Sequence, residues 1–201
     1  MMIRSIVRLA TCLGLAVPAQ AAEIIDLSPT PAYGLIAIRG QFRAEDTPRF
    51  AALADRYPAA TIVLESPGGE LEPALAIGDT IRARGFSTSV PPGSLCASGC
   101  ALAWLAGRTR VFSASSLLIV HGAFRYRTDG GLEESPRGNA RARTYLSRLD
   151  LPPALIAFAT QARPGDLRQL TPDLLHRFGL AATLLPAPRT DLPFPPRPAR
   201  R

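Results

Sequence analysis

Apolar residues recur with two different periods along this chain, and the alternation between them predicts a mixed α/β fold. Gly34 to Gly40 (Gly-Leu-Ile-Ala-Ile-Arg-Gly) and Ala60 to Leu64 are short, nearly continuous apolar runs of the kind that buried parallel strands present. Between them Phe50, Leu53, Ala54 and Tyr57 fall at offsets 0, 3, 4 and 7, which is one face of a helix. Pro48 suits the first turn of that helix, because its missing N–H has no intrahelical partner there. Pro67-Gly68-Gly69 then turns the chain into a second helix, with Leu71, Ala74, Leu75, Gly78 and Ile81 on one face and Gly85 as its left-handed stop. Phe86 to Val90 predicts a strand, Gly99 to Ala106 an almost wholly apolar helix closed by Gly107, and Leu117 to Val120 a buried strand ending at His121. Helical patterns follow at Ala142, Tyr145, Leu146 and Leu149, at Pro153 to Ala162, and from Thr171 to Phe178.

The two ends have different characters. Arg4 and Arg8 precede the apolar run Leu9 to Val17 and then Ala19-Gln20-Ala21, which is the pattern of a secretory signal peptide over residues 1–21. Its apolar core is far short of the ~20 residues that a spanning helix needs. Thr11 before Cys12, and the short lead-in, argue against a lipoprotein cleavage box. The mature chain is therefore expected to be periplasmic or secreted. Residues 22–185 leave room for a single domain. Residues 186–201 carry six prolines and end Arg200-Arg201, the composition of a disordered tail.

Charge and composition exclude several chemistries. Cleavage removes Arg4 and Arg8, leaving 21 basic residues against 16 acids spread along the chain, a solubility feature more than a nucleic-acid footprint. The densest basic stretch, Arg125 to Arg148, has only Phe124, Tyr126 and Tyr145 as aromatic neighbours, so no nucleic acid is expected as a partner. All 23 basic residues are arginine, which removes every mechanism that needs a lysine base or Schiff base. Cys96 and Cys100, the only cysteines of the mature chain, are expected to form a disulfide in an exported protein. Two thiols and a distant His121 lack the paired spacings of a zinc site, and neither metal nor cofactor is expected. Glu65, Glu70 and Glu72 read as solvated flank and first-turn charges. Arg108 and Arg110 read as surface or helix-end residues.

Chemistry concentrates in three places: Leu64-Glu65-Ser66-Pro67-Gly68-Gly69, Cys96-Ala97-Ser98-Gly99-Cys100, and His121. Acyl transfer needs amide donors facing a developing oxyanion, a hydroxyl beside them and an imidazole within reach. Strands of an α/β sheet present their carboxyl ends to the ligand crevice, so these three segments are able to converge on one edge. Each also has a plain structural reading. Ser98 could cap its helix, His121 could be a satisfied buried histidine, and Gly68-Gly69 could be only a tight turn.

The order of strand, Ser-Pro-Gly-Gly, helix, strand, Ala-Ser at a helix start, apolar helix, strand and His resembles the Clp protease proteolytic-subunit family of the Clp/crotonase superfamily. The resemblance runs from about Gly34 to Gly179. It is sharpest at Glu65–Gly69, Ala97–Gly107 and Ile119–Gly122, with Phe178-Gly179-Leu180 similar to the family's closing turn. It implies a β-β-α superhelix with a mostly parallel sheet and flanking helices, and a Ser-His-Asp mechanism. Carried over, Ser98 takes the nucleophile's place, His121 the general base's, and the amides of Gly68 and Gly99 the oxyanion hole. Asp166 is the nearest candidate for the third member and Asp173 its rival. The cysteines flanking Ser98 and the Gly- and Arg-rich stretch after His121 depart from the family pattern, and the family's long handle helix is expected to be short.

The expected function is an exported, ATP-independent serine peptidase or related acyl hydrolase acting on a peptide or protein. No ATPase partner is expected, since exported compartments hold no ATP pool; a homo-oligomer stays open, although the short handle helix argues against the stacked double-ring assembly that the resemblance implies. The alternatives are a catalytically silent Clp-like binding or assembly protein and a crotonase-like acyl-CoA enzyme.

Overall fold

The computed structural model describes residues 21–163 and 165–186, so the expected signal peptide and tail lie outside the described residues apart from Ala21 and Pro186. A strand at Glu23–Asp26 (β1) runs antiparallel to Gly34–Arg39 (β2), and the helix Asp46–Ala54 (α1) leads to Ala60–Glu65 (β3). Helix Leu71–Ala83 (α2), strand Ser87–Val90 (β4), the short strand Leu95–Ala97 (β5) and helix Gly99–Leu105 (α3) follow. Next come strands Arg110–Ser113 (β6) and Leu117–Val120 (β7), then a hairpin of Phe124–Tyr126 (β8) and Leu132–Glu134 (β9). Helices Pro136–Arg148 (α4) and Pro153–Thr160 (α5), strand Arg168–Gln169 (β10), helix Pro172–Arg177 (α6) and strand Thr183–Leu185 (β11) complete the order.

The main sheet has six strands in the order β1-β2-β3-β4-β6-β11, parallel from β2 onward. A second sheet, β10-β7-β5, pairs β5 with β7 in parallel and β10 with β7 in antiparallel. The apolar runs of β2 and β3 are explained by burial: Ile36, Ile38, Ile62 and Leu64 share one face of the sheet and are fully buried, while Leu35, Thr61 and Val63 on the other face are half-buried. The apolar run Gly99–Leu105 is explained in the same way, because every residue of α3 is buried. Trp104 completes that packing edge-on to Phe112 and donates its indole N–H to the Val111 carbonyl.

Arg110, expected at the surface or at a helix end, is found at the helix end. It is buried beside the C-terminus of α3 and donates Nε–H to the Leu105 carbonyl, and burial lowers its pKa to about 10. Glu65, Glu70 and Glu72 do sit in exposed ion pairs, with Arg39, Arg43 and Arg141. Solvent screening leaves such pairs little energetic weight. Helix α4 spans 13 residues and buries Ala142, Tyr145 and Leu146, with Leu149 buried just beyond, which is the predicted face.

The small sheet is joined to the large one laterally. Ser66, just past β3, donates to the Leu95 carbonyl and accepts from Ala97 N–H, and Ser98 N–H donates to the Ile119 carbonyl. On the other side Phe42 bridges Gly69. These bonds bring the ends of β2, β3, β5 and β7 side by side.

Candidate active site

Where those ends meet, a cavity of about 410 Å³ is lined by Pro67, Gly69, Ser98, Gly99, His121 and Asn139, with an apolar wall that includes Leu71, Leu102 and Phe124. Ser98 stands one residue past β5 and His121 one residue past β7. The register pairs Ala97 with Ile119, so the two side chains emerge from adjacent parallel strands.

The backbone of Ser98 is unusual. Its φ of 55° and ψ of −125° match the first central position of a type II′ turn, which glycine normally occupies. It precedes α3, yet its side chain makes no capping hydrogen bond. Two genuine caps in the same chain show the contrast: Ser135 and Thr171 have extended backbones and accept from Gly138 N–H and Leu174 N–H. A capping role therefore does not account for Ser98. Holding an L-residue in this conformation costs on the order of 1–3 kcal/mol, and the result is a hydroxyl presented to the cavity.

The glycine turn packs against this elbow. A side chain on Gly68 would meet Ala97 O and Ser98 Cβ, both 2.7 Å from the added Cβ, so only glycine lets the two turns touch. Its amide, expected to serve the oxyanion hole, donates instead to Ser66 Oγ at 3.0 Å and is buried. Gly69 is the glycine that faces the cavity. The Phe42 bridge uses Gly68 O and Glu70 N–H, which leaves the Gly69 N–H without an acceptor among the described residues. Gly99 N–H opens α3 and likewise has none. Sequence reading could not separate Gly68 from Gly69, because the difference lies in which one Ser66 engages.

Cys96 and Cys100 form the expected disulfide, with Cα atoms 5.1 Å apart and both residues fully buried. The bridge closes the loop that carries Ser98. The loop-entropy relation gives about 2 kcal/mol for so short a closure. Urea denaturation of the Cys96→Ala/Cys100→Ala protein is expected to show a loss of that size, and an unchanged midpoint would contradict it.

His121 is half-buried, its ring 5.2 Å from that of Phe124. Nδ1 lies 2.8 Å from the Gly122 carbonyl oxygen, an atom that can only accept, so Nδ1 is the donor of this bond and Nε2 is the nitrogen left to accept in the neutral ring. No hydrogen bond joins Ser98 Oγ to His121 in this structure. Asp166 makes no hydrogen bond to the imidazole: it is exposed and its carboxylate accepts from Nε and Nη2 of Arg168. That pairing is local, two residues apart at the start of β10. Asp173 sits exposed in the first turn of α6. The residue that sequence reading passed over is Asn139, buried on α4 and part of the cavity wall. A single asparagine inside a polar helix start carries no pattern that would have marked it.

No protein-family model matches the chain, and no curated protein does. Among solved structures it is similar to the 1510-N membrane-bound stomatin-specific protease. A serine-to-alanine mutant of that protein aligns with a TM-score of 0.63 at 17% identity, over 79% of this chain and 81% of the other. A lysine-to-alanine mutant in complex with a substrate peptide aligns with a TM-score of 0.59 at 18% identity, over 79% and 77%. The chain thus shares a protease's mixed α/β fold, in keeping with the Clp-like fold expected from the sequence. It has no lysine at all; the basic residues that line the cavity with Ser98 are Arg43 and His121, and of these the imidazole is the one able to accept a proton at working pH.

Proposed function

We propose that this chain is an exported, ATP-independent serine peptidase or related acyl hydrolase with a Clp-like β-β-α core, acting on peptide or protein substrates. The observation that carries the reading is the strained, uncapped Ser98 opening into a cavity shared with His121 and two amides that lack acceptors. In the proposed reaction His121 Nε2 takes the proton as Ser98 Oγ attacks the substrate carbonyl. The N–H groups of Gly69 and Gly99 hold the resulting oxyanion. The imidazolium then protonates the leaving group, and water activated by the same nitrogen releases the acyl group. Export rests on the residue 1–21 pattern and agrees with a disulfide, which persists in oxidising compartments.

A catalytically silent binding protein is the second reading, favoured by the absent Ser98–His121 hydrogen bond. The two separate experimentally. The purified mature, oxidised protein is expected to react with a fluorophosphonate probe and to lose that reaction in Ser98→Ala and His121→Ala. A folded, oxidised sample that never labels would overturn the hydrolase and leave the silent protein.

A further inference from the structure

We propose that Asn139 and Glu134 are positioning residues for His121, joined to it by a hydrogen-bonded relay that runs through the Gly122–Ala123 peptide group. The inference rests on the hydrolase reading only where it concerns rate. The relay itself is a matter of geometry.

The first link is His121 Nδ1–H to the Gly122 carbonyl, at 2.8 Å. The amide on the other side of that same planar peptide is the N–H of Ala123, which donates to Asn139 Oδ1 at 2.6 Å. Asn139 Nδ2 in turn donates to Glu134 Oε1 at 2.9 Å. The orientation of the Asn139 amide is fixed by this pair, since a backbone N–H requires an oxygen and a carboxylate requires a donor. Because the peptide is planar, holding its N–H holds the direction of its C=O, and that direction sets where the imidazole can donate. Each bond also polarises the next in the buried part of the chain. The relay ends on a carboxylate, so the negative group that orients the base acts through two amides rather than by direct contact.

The surroundings give the peptide little other freedom. The Ala123 carbonyl accepts from Ser135 N–H, and Asn139 N–H donates to the Ser135 carbonyl, tying the start of α4 to the same loop. A side chain at Gly122 would collide with the Ala162 carbonyl, and one at Gly138 would press on Ala123 Cβ. Asn139 is 5% exposed, and each end of its amide already holds a partner, Ala123 N–H on the oxygen and the Glu134 carboxylate on the nitrogen.

Two measurements test this on the mature, oxidised protein. In saturation kinetics with a fluorophosphonate, Asn139→Ala is expected to lower the maximal labelling rate at least about tenfold with unchanged half-saturation, the scale of a slightly misplaced catalytic group. The pair Asn139→Asp/Glu134→Gln keeps an acceptor for Ala123 N–H and reverses the second bond, the introduced glutamine amide donating to the introduced aspartate carboxylate, and it is expected to restore the rate. Wild-type labelling by Asn139→Ala, or no recovery in the folded double variant, overturns the proposal.

The second readout is the ¹⁵N spectrum of the imidazoles, which is simple because the chain has only His121 and His176. The neutral His121 proton is expected on Nδ1 in the wild type and to shift toward Nε2 in Asn139→Ala. An unchanged tautomer overturns the relay even if the enzyme labels. A tautomer that shifts in a protein that never labels upholds the relay and overturns the hydrolase alone.

Discussion

Replacing Ser98 with glycine will abolish fluorophosphonate labelling and raise folding stability by about 1 kcal/mol. Both effects come from one atom set. The left-handed φ of 55° at this position strains any residue with a Cβ, and glycine releases that strain. Part of the gain, about 0.5–1 kcal/mol, is offset by the larger entropy that glycine has in the unfolded chain. Urea midpoints of the wild type and of the Ser98→Gly and Ser98→Ala proteins measure the balance. Alanine retains the strain and serves as the control, so it is expected to lose labelling without the stability gain. If Ser98→Gly proves less stable than Ser98→Ala, the serine is held at no cost and the case for a functional elbow fails.

Gly69→Ala is expected to have the largest structural effect of any single methyl in the site. Gly69 has φ of 146°, and an added Cβ would collide with the Phe42 carbonyl oxygen, amide nitrogen and Cα. None of these is the end of a flexible side chain, so the Phe42 bridge itself has to open. The combined strain and overpacking amount to about 3 kcal/mol or more, together with loss of labelling as the Gly69 N–H turns away from the cavity. Gly93→Ala is a useful comparison, because nothing lies within 4 Å of its added Cβ and only its φ of 74° is unfavourable. A Gly69→Ala protein as stable as Gly93→Ala would show that the turn is not pinned by Phe42.

The elements that the sequence made legible are those with a long or pure apolar period. The strand Leu117–Val120 appears at its predicted bounds, and α2 and α3 begin where their patterns begin. The short pairings were not legible: β5, β6, β10 and β11 have two to four residues each and are defined by what they pair with. Leu95–Ala97, three residues between Pro91-Pro92-Gly93 and α3, carries no period of its own, yet the bonds of this segment to Ser66 and Ile119 bring Ser98 to the cavity. At the site the histidine and the disulfide were readable because His and Cys are scarce here, and Ser98 because it stands between the two cysteines. The glycine whose amide is free, the partners of Asp166 and the role of Asn139 depended on hydrogen-bond direction, which spacing does not encode.

The lateral bonds that join the two sheets have a consequence for how the protein comes to life. The cavity lining runs from Gln41 to Ala159, and β10 beyond it pairs with β7, Arg168 opposite Val120, so the site draws on most of the described chain. Long-range pairings of this kind form late, after much loop-closure entropy has been overcome. A nascent chain that has already released Ser98 and His121 still lacks the strand that closes the small sheet. On the proposed hydrolase reading, reactivity of Ser98 is therefore expected to work as an internal clock for completed folding, audible only when the last strands have docked.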